Sequence, residues 1–277
     1  MRKASKVLTV LVFIFLYVPI IILAIASFNS GADIALFKGF TFSRYAELFR
    51  DASLLELVRN SFIIAILSTV IATVLGTAAA LGINRMGKKL RALILGMTNI
   101  PMTNPDIVTG VSLALMFAFT GTILKLNSIL GFWTLLIAHV TFNLPYVILN
   151  VMPRFAQMDP NLTDAALDLG CTPIKAFFKV TLHELMPGVI AGALMSFTMS
   201  LDDFVISYFV TGSGFVTLPV EIYNYTKKPI HPKVYALFTL MFLVLLLLMI
   251  LMNLLEARRG NKKEKIHLPG MDFGGGV

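Results

Sequence analysis

Two adjacent aspartates, Asp202 and Asp203, stand in the stretch SFTMSLDDFVISYFV, residues 196–210. No other charged residue lies between Leu185 and Val220. If that run crosses a membrane, each carboxylate costs about 2.5–3.5 kcal/mol at the bilayer centre, so it needs a partner or a task. Acids in such a place face a bundle interior or a water-filled cavity and mark ion or substrate paths. Asp106, beside Pro105, is a third acid in an apolar run. Phe204 and Tyr208 adjoin the pair, and an aromatic face attracts an organic cation by about 0.5–2 kcal/mol. The chemistry on offer is recognition of a cation. The bland alternative is packing: an aspartate bonds a neighbouring helix's hydroxyls or a partner's arginine, and a chain with 22 phenylalanines uses most of them as filling.

The elements that hold these residues follow from composition. Of 277 residues, 57% are apolar and 14% charged. Soluble domains average about 45–50% and 25%. The useful count is therefore membrane spans of about 20 residues. Six runs qualify: Val7–Phe28, Asn60–Asn84, Ala92–Leu124, Leu126–Pro153, Met186–Thr211 and Val234–Leu255. The third carries Asp106 with Pro101 and Pro105, the fourth a lone His139, the fifth the aspartate pair. An even number of spans puts both termini on one side. With the termini inside, the inner segments hold 15 Lys and Arg and the outer ones 8, which the positive-inside rule favours. The net charge of +8 is thus a topology signal, and a nucleic-acid partner is not expected. The first apolar run exceeds the 7–15 residues of a signal-peptide core, so it reads as a retained helix. The basic, then Gly-rich tail 257–277 reads as disordered. A single cysteine, Cys171, excludes an internal disulfide.

Depth can be estimated at about 1.5 Å per residue. Counted from Ala92 and Gly188, Asp106 and Asp202 both fall about 21 Å from the inner edge. The three acids are expected at one level, with no Lys or Arg inside a span to balance them. Ser196, Ser200, Asp203 and Ser207 form one polar stripe at i, i+4, i+7, i+11. That favours Asp203 for the lumen, with Asp202 beside it or capping a broken backbone. Gly188-x-x-x-Gly192, on the same helix, also fits small-residue packing.

No resident chemistry competes with this. Gly82-Ile-Asn-Arg-Met-Gly87-Lys88-Lys89 approaches the phosphate loop G-x-x-x-x-G-K-[ST], but it lacks the final hydroxyl and follows a membrane helix rather than a strand. The four histidines, at 139, 183, 231 and 267, are far apart, and no metal-ligand spacing occurs. The chain is expected to bind no cofactor and to catalyse nothing by itself.

The inner segment between spans four and five, 154–187, contains MDPNLTDAALDLGCTPIKAFFKVTLHELMPG. Asp159 suits an N-cap, Pro160 the first helical position, and Gly170 a left-handed C-cap. Thr172 and Pro173 repeat the cap-and-proline device. Two short helices are expected, with Leu162, Ala165, Ala166 and Leu169 on one face. From the residues alone, a docking knob and an amphipathic connector on the bilayer both remain open.

This segment resembles the cytoplasmic loop of ABC-importer permeases, written E-A-A, three residues, Gly, nine residues, I-x-L-P. Asp164-Ala165-Ala166 occupy the first positions with Asp for Glu, Gly170 the glycine, and Val180-Thr181-Leu182 the last, with His183 where proline is usual. Asn104-Pro105-Asp106-Ile107-Val108, Ala191-Gly192-Ala193-Leu194 with Ser200-Leu201-Asp202-Asp203-Phe204-Val205-Ile206, and Thr217-Leu218-Pro219-Val220-Glu221-Ile222-Tyr223 resemble the spermidine/putrescine branch, second type. The likeness spans about residues 60–256. It implies an all-α membrane protein of six transmembrane helices with the type I importer-permease fold. The parts would be an N-terminal helix (1–28), a periplasmic segment (29–59), a five-helix core (60–256) and the tail. It also implies a bacterial inner-membrane location among membrane lipid, both termini cytoplasmic. A second permease would enclose the path. Two ATPase subunits, holding ATP and Mg²⁺, would dock on Asp164, Ala165, Ala166, Leu169 and Gly170. A periplasmic binding protein would deliver polyamine to the outer face, around 30–58 and 212–233, and the candidate substrate path within the membrane is Asp203, Asp202, Asp106, Phe204 and Tyr208. Alternatives are an importer for iron or an organophosphonate and an ion-coupled secondary carrier, which would show inverted repeats.

Overall fold

The computed structural model describes residues 2–31, 36–125, 129–159, 161–212, 214–227, 233–247 and 249–250. In chain order the helices are α1 (Arg2–Ser27), α2 (Ser43–Arg50), α3 (Ala52–Asn84), α4 (Lys88–Thr103), α5 (Asp106–Ile123), α6 (Phe132–Gln157), α7 (Leu162–Asp168), α8 (Pro173–Ala176), α9 (Leu182–Asp202), α10 (Val205–Val210), α11 (Leu218–Thr226) and α12 (Lys233–Leu247). A π-helical turn, Phe177–Thr181, joins α8 to α9. Among the described residues the one β pairing is an isolated bridge between Asn29 and Phe40.

Among the described residues, five helical stretches are long and apolar enough to cross a membrane: Lys6–Ser27, α3, α5, α6 and Pro173–Asp202. Of the expected sixth span, Val234–Leu255, the described part is the shorter apolar helix α12 with residues 249–250. Its remainder and the tail 257–277 lie outside the described residues.

The chain divides into two compact units, residues 49–230 and residues 1–48 with 231–277. In the second of these, the chain beyond α1 is knotted by Phe28, which stacks on Phe40 at 5.1 Å and on Tyr45 at 5.2 Å. Asn29 accepts from the Gly31 and Lys38 amides, both at 3.0 Å, and donates to the Leu36 carbonyl.

The unit 49–230 holds the site. Its centre is the packing of α3, α6 and α9 on one another. Lipid tails are as apolar as leucine, so helices in a membrane associate by close contact rather than by escape from water. The sequence supplies that contact with small residues. A Cβ on Gly76 of α3 would stand 2.7 Å from the Val147 Cβ of α6. One on Gly188 of α9 would stand 2.6 Å from the Asn150 carbonyl, and one on Gly192 3.0 Å from the Val147 Cα. Val147 and Val151 are fully buried at this seam. The small-residue reading of Gly188 and Gly192 therefore describes the face that α9 turns to α6.

Two expected spans are not continuous. The run Ala92–Leu124 divides into α4 and α5, because Pro105 forces Asn104 into an extended backbone, φ −77° and ψ 140°. The count of residues from Ala92 is thus no measure of depth for Asp106, which opens α5. The run expected at Met186–Thr211 instead begins at Pro173, ends at Asp202, and resumes as α10. Asp203 between them is extended, φ −66° and ψ 117°. The second short helix expected in the inner segment is the foot of this long span rather than a separate piece. His183, in the place of the usual proline, lies inside a continuous helix; the irregularity is the π turn just before it.

Candidate cation site at a broken span

The break at Asp203 contains no glycine or proline. What stabilises it is side-chain capping. Asp203 Oδ1 accepts from the Ile206 amide at 3.2 Å. Its Oδ2 accepts from the Ser207 amide at 2.7 Å and the Ser207 hydroxyl at 2.8 Å. These satisfy amides at the start of α10 that the break leaves without helical partners.

Behind Asp203 stands His139 of α6, 1% exposed, with Nε2 3.4 Å from Asp203 Oδ2. The Ser207 hydroxyl proton points at Asp203, so the Ser207 oxygen is free to accept from the His139 Nε2–H at 2.9 Å. The other ring nitrogen, Nδ1, lies 2.6 Å from Ser200 Oγ of α9. Ser200 continues to Ser68 of α3 at 2.9 Å, and the Asn143 side chain donates to Ser68 at 3.4 Å. A buried polar network thus joins α3, α6, α9 and α10, and burial raises the cost of leaving any member unpaired.

This arrangement reverses the order of exposure expected from the serine stripe. Ser196 and Ser207 are 0% exposed and Ser200 5%, so the stripe faces the bundle interior. Asp203 lies on it and its side chain is 7% exposed, whereas Asp202 is exposed. The interior also supplies Asp203 with a partner, His139, that the sequence reading does not pair with it. A histidine in mid-span was the available signal for it, but its pairing with Asp203 depends on α6 lying against the break.

The three acids do meet. Asp106, Asp202 and Asp203 line one cavity of about 230 Å³, with Phe142, Phe204 and Val205 among the other walls. Asp106 reaches it because α5 packs on α10: a Cβ on Gly110 would touch Phe209 at 3.0 Å and the Ile206 Cα at 3.3 Å. That glycine lets the two short helices approach and carries the first turn of α5 to the break.

Phe204 and Tyr208 form an aromatic cluster with Tyr223 of α11, which the sequence reading does not single out. Phe204 stands 4.6 Å from Tyr223, and Tyr208 5.7 Å from it. The Lys227 ammonium lies 4.4 Å from the Tyr223 ring centre and 5.7 Å from that of Tyr208. The two tyrosine rings therefore already hold one cation by their faces.

The inner segment keeps the expected glycine stop and second cap, but α7 opens later than expected: its N-cap is Asn161, with no side-chain cap bond, rather than Asp159. Gly170 takes φ +84°, its amide donates to Leu167 and that of Cys171 to Ala166, which closes α7 with both bonds of a Schellman cap. The Thr172 side chain accepts from the Lys175 amide and Pro173 opens α8. Asp159 accepts from the Asn161 amide; Pro160 lies outside the described residues. Of the expected apolar face only Ala166 is buried. Leu162, Ala165 and Leu169 are exposed, Leu169 at 87%, as is Asp164. Ile174 and Phe178 add to this uncovered apolar surface at 72% and 61%. Among the described residues no group of three or more His, Cys, Asp or Glu is placed to hold a metal.

Three comparisons bear on these features. The "Putrescine transport system permease protein PotI" of Escherichia coli strain K12 is 38% identical over 236 residues, 85% of this chain and 84% of that one. The "Spermidine/putrescine transport system permease protein PotC" of Haemophilus influenzae is 39% identical over 230 residues, 83% and 87% of the two chains. A chain from the crystal structure of a bacterial ABC transporter involved in import of the acidic polysaccharide alginate shares the fold at a TM-score of 0.72. That match has 15% identity and covers 93% of this chain and 95% of that one. A family profile described as "Binding-protein-dependent transport system inner membrane component" matches residues 72–261. The break, the cavity and the capped inner segment all fall within the residues that profile matches, and the chain belongs to that family of transport permeases.

Proposed function

We propose that this chain is the permease subunit of an ATP-driven importer that moves a polyamine, spermidine or putrescine, across the inner membrane. The observation that carries the reading is the cavity where Asp106, Asp202 and Asp203 converge beside Phe204. A methylene-rich polycation matches it: ammonium groups for the carboxylates, an apolar stem for the rings. The names of the relatives agree. An organophosphonate would meet like charge there, and an ion-coupled carrier has no support from the family.

The chain itself hydrolyses nothing. ATP and Mg²⁺ belong to two ATPase subunits that engage α7 through Leu169, Ala165 and the Gly170 cap. A second permease closes the path, and a periplasmic binding protein delivers cargo to the outer face around 30–58 and 212–233. Both termini are cytoplasmic. The decisive experiment reconstitutes the chain with these partners in liposomes and measures accumulation of labelled spermidine with and without ATP. ATP-dependent, saturable uptake is expected; uptake of another solute class in its place would overturn the assignment.

A further inference from the structure

The His139 ring bridges the break in span five. Nδ1 meets Ser200, the last buried serine before the break, at 2.6 Å. Nε2 meets Ser207, just after it, at 2.9 Å, and Asp203 at 3.4 Å. One rigid, fully buried group therefore holds both halves of a discontinuous span against a third helix. We propose that His139 is a positioning residue for transport: it staples α9 to α10, so that Asp203 serves the staple while Asp202 faces cargo opposite Asp106. The proposal rests on the polyamine reading for its substrate.

The argument is one of constraint. A break without proline or glycine has no stiff backbone of its own, so its angle is set by what bonds across it. Three side chains do so here: Asp203 caps α10, Ser207 ties the cap to the ring, and the ring reaches back to Ser200. Asp202 is the last residue of α9, and Asp106 is carried by α5, which packs on α10. Any change in the angle between α9 and α10 therefore changes the spacing of the two carboxylates across the cavity. Cargo charges sit a fixed number of methylenes apart, so that spacing matters to passage. The same geometry gives the neighbouring aspartates different tasks, with Asp203 three-fold bonded inside and Asp202 exposed.

The test uses the whole reconstituted complex and initial rates of ATP-driven spermidine uptake. His139→Leu is expected to lower the maximal rate about tenfold with KM within about twofold, as expected for a lost alignment. His139→Gln should recover only part of the rate, because its amide reaches Ser207 and Asp203 as Nε2 does but leaves Ser200 without the Nδ1 bond. Asp203→Leu should match His139→Leu, and the double variant should be no slower than the slower single one, because both remove the same staple. Asp202→Asn should instead raise KM. A second readout is thiol labelling of Asp202→Cys in a Cys171→Ser background: adding His139→Leu should change the labelling rate, and adding His139→Gln should change it less. Wild-type transport by His139→Leu, a KM rise like that of Asp202→Asn, or multiplicative effects of His139 and Asp203 would overturn the proposal. If His139→Leu does not assemble, Ser207→Ala breaks the same bridge and is read in its place. Absence of spermidine uptake by the wild type would sink the substrate reading, and the labelling comparison would then decide the staple alone.

Discussion

At the residue scale, identical side chains one position apart do different work. Asp203 makes three hydrogen bonds to the start of α10 and faces His139; Asp202 does none of this and stays exposed at the cavity. The sequence shows two acids where acids are costly, and that much was legible. Their division of labour was not, because it turns on a helix break that no proline or glycine announces and on a histidine 64 positions earlier in the chain. The aromatic part was half legible: Phe204 and Tyr208 adjoin the acids, but Tyr223 and Lys227 reach them only through the placement of α11. Loss of a capping side chain costs about 0.5–2 kcal/mol, and Asp203→Leu also takes the carboxylate away from His139, so a clearly lower thermal midpoint of the detergent-purified chain is expected. Asp202→Asn should leave that midpoint unchanged. Equal midpoints for the two variants would show that Asp203 caps nothing that matters.

At the element scale, glycine decides how closely helices lie and where they stop. Gly188 of α9 leaves no room for a Cβ beside the Asn150 carbonyl, whereas nothing lies within 4 Å of one added at Gly82. Gly188→Val should therefore force α9 off α6 and sharply cut the yield of folded protein. Gly82→Ala should be tolerated, since alanine favours a helix over glycine by about 1 kcal/mol. Comparable yields by size-exclusion chromatography would contradict this. Gly170 is a different case: the space around it is open, but its φ of +84° is left-handed. A β-branched residue there costs about 1–2 kcal/mol, so Gly170→Val should loosen the end of α7 and reduce co-purification with the ATPase subunits, while Gly170→Asn retains it. Undiminished co-purification with Val would separate α7 from docking. These punctuation marks were readable in advance, because caps are local. The continuity of spans was not: Pro105 signals a break within α4–α5, but whether a helix bends or ends at a proline depends on its neighbours. The break at Asp203 is held by that residue's own side chain, which bonds the first amides of α10, and by His139 of α6 packed behind it.

At the scale of the whole molecule, a helical frame brings acids from two separate spans to one cavity and leaves an apolar, well-capped inner segment uncovered. The helical class and the loop pattern follow from composition and local spacing, so the fold was largely open to reading. The site was open only in its residue types, because its geometry is made by contacts between helices distant in the chain. The central claim is that this cavity takes a polycation through Asp106 and Asp202. The most direct measurement is the concentration dependence of ATP-driven spermidine uptake by the reconstituted complex, for the wild type and for Asp106→Asn with Asp202→Asn. The account predicts saturable uptake whose KM rises about tenfold or more in the double variant, since two charge-assisted contacts are lost. An unchanged KM, with spermidine still carried, would contradict it.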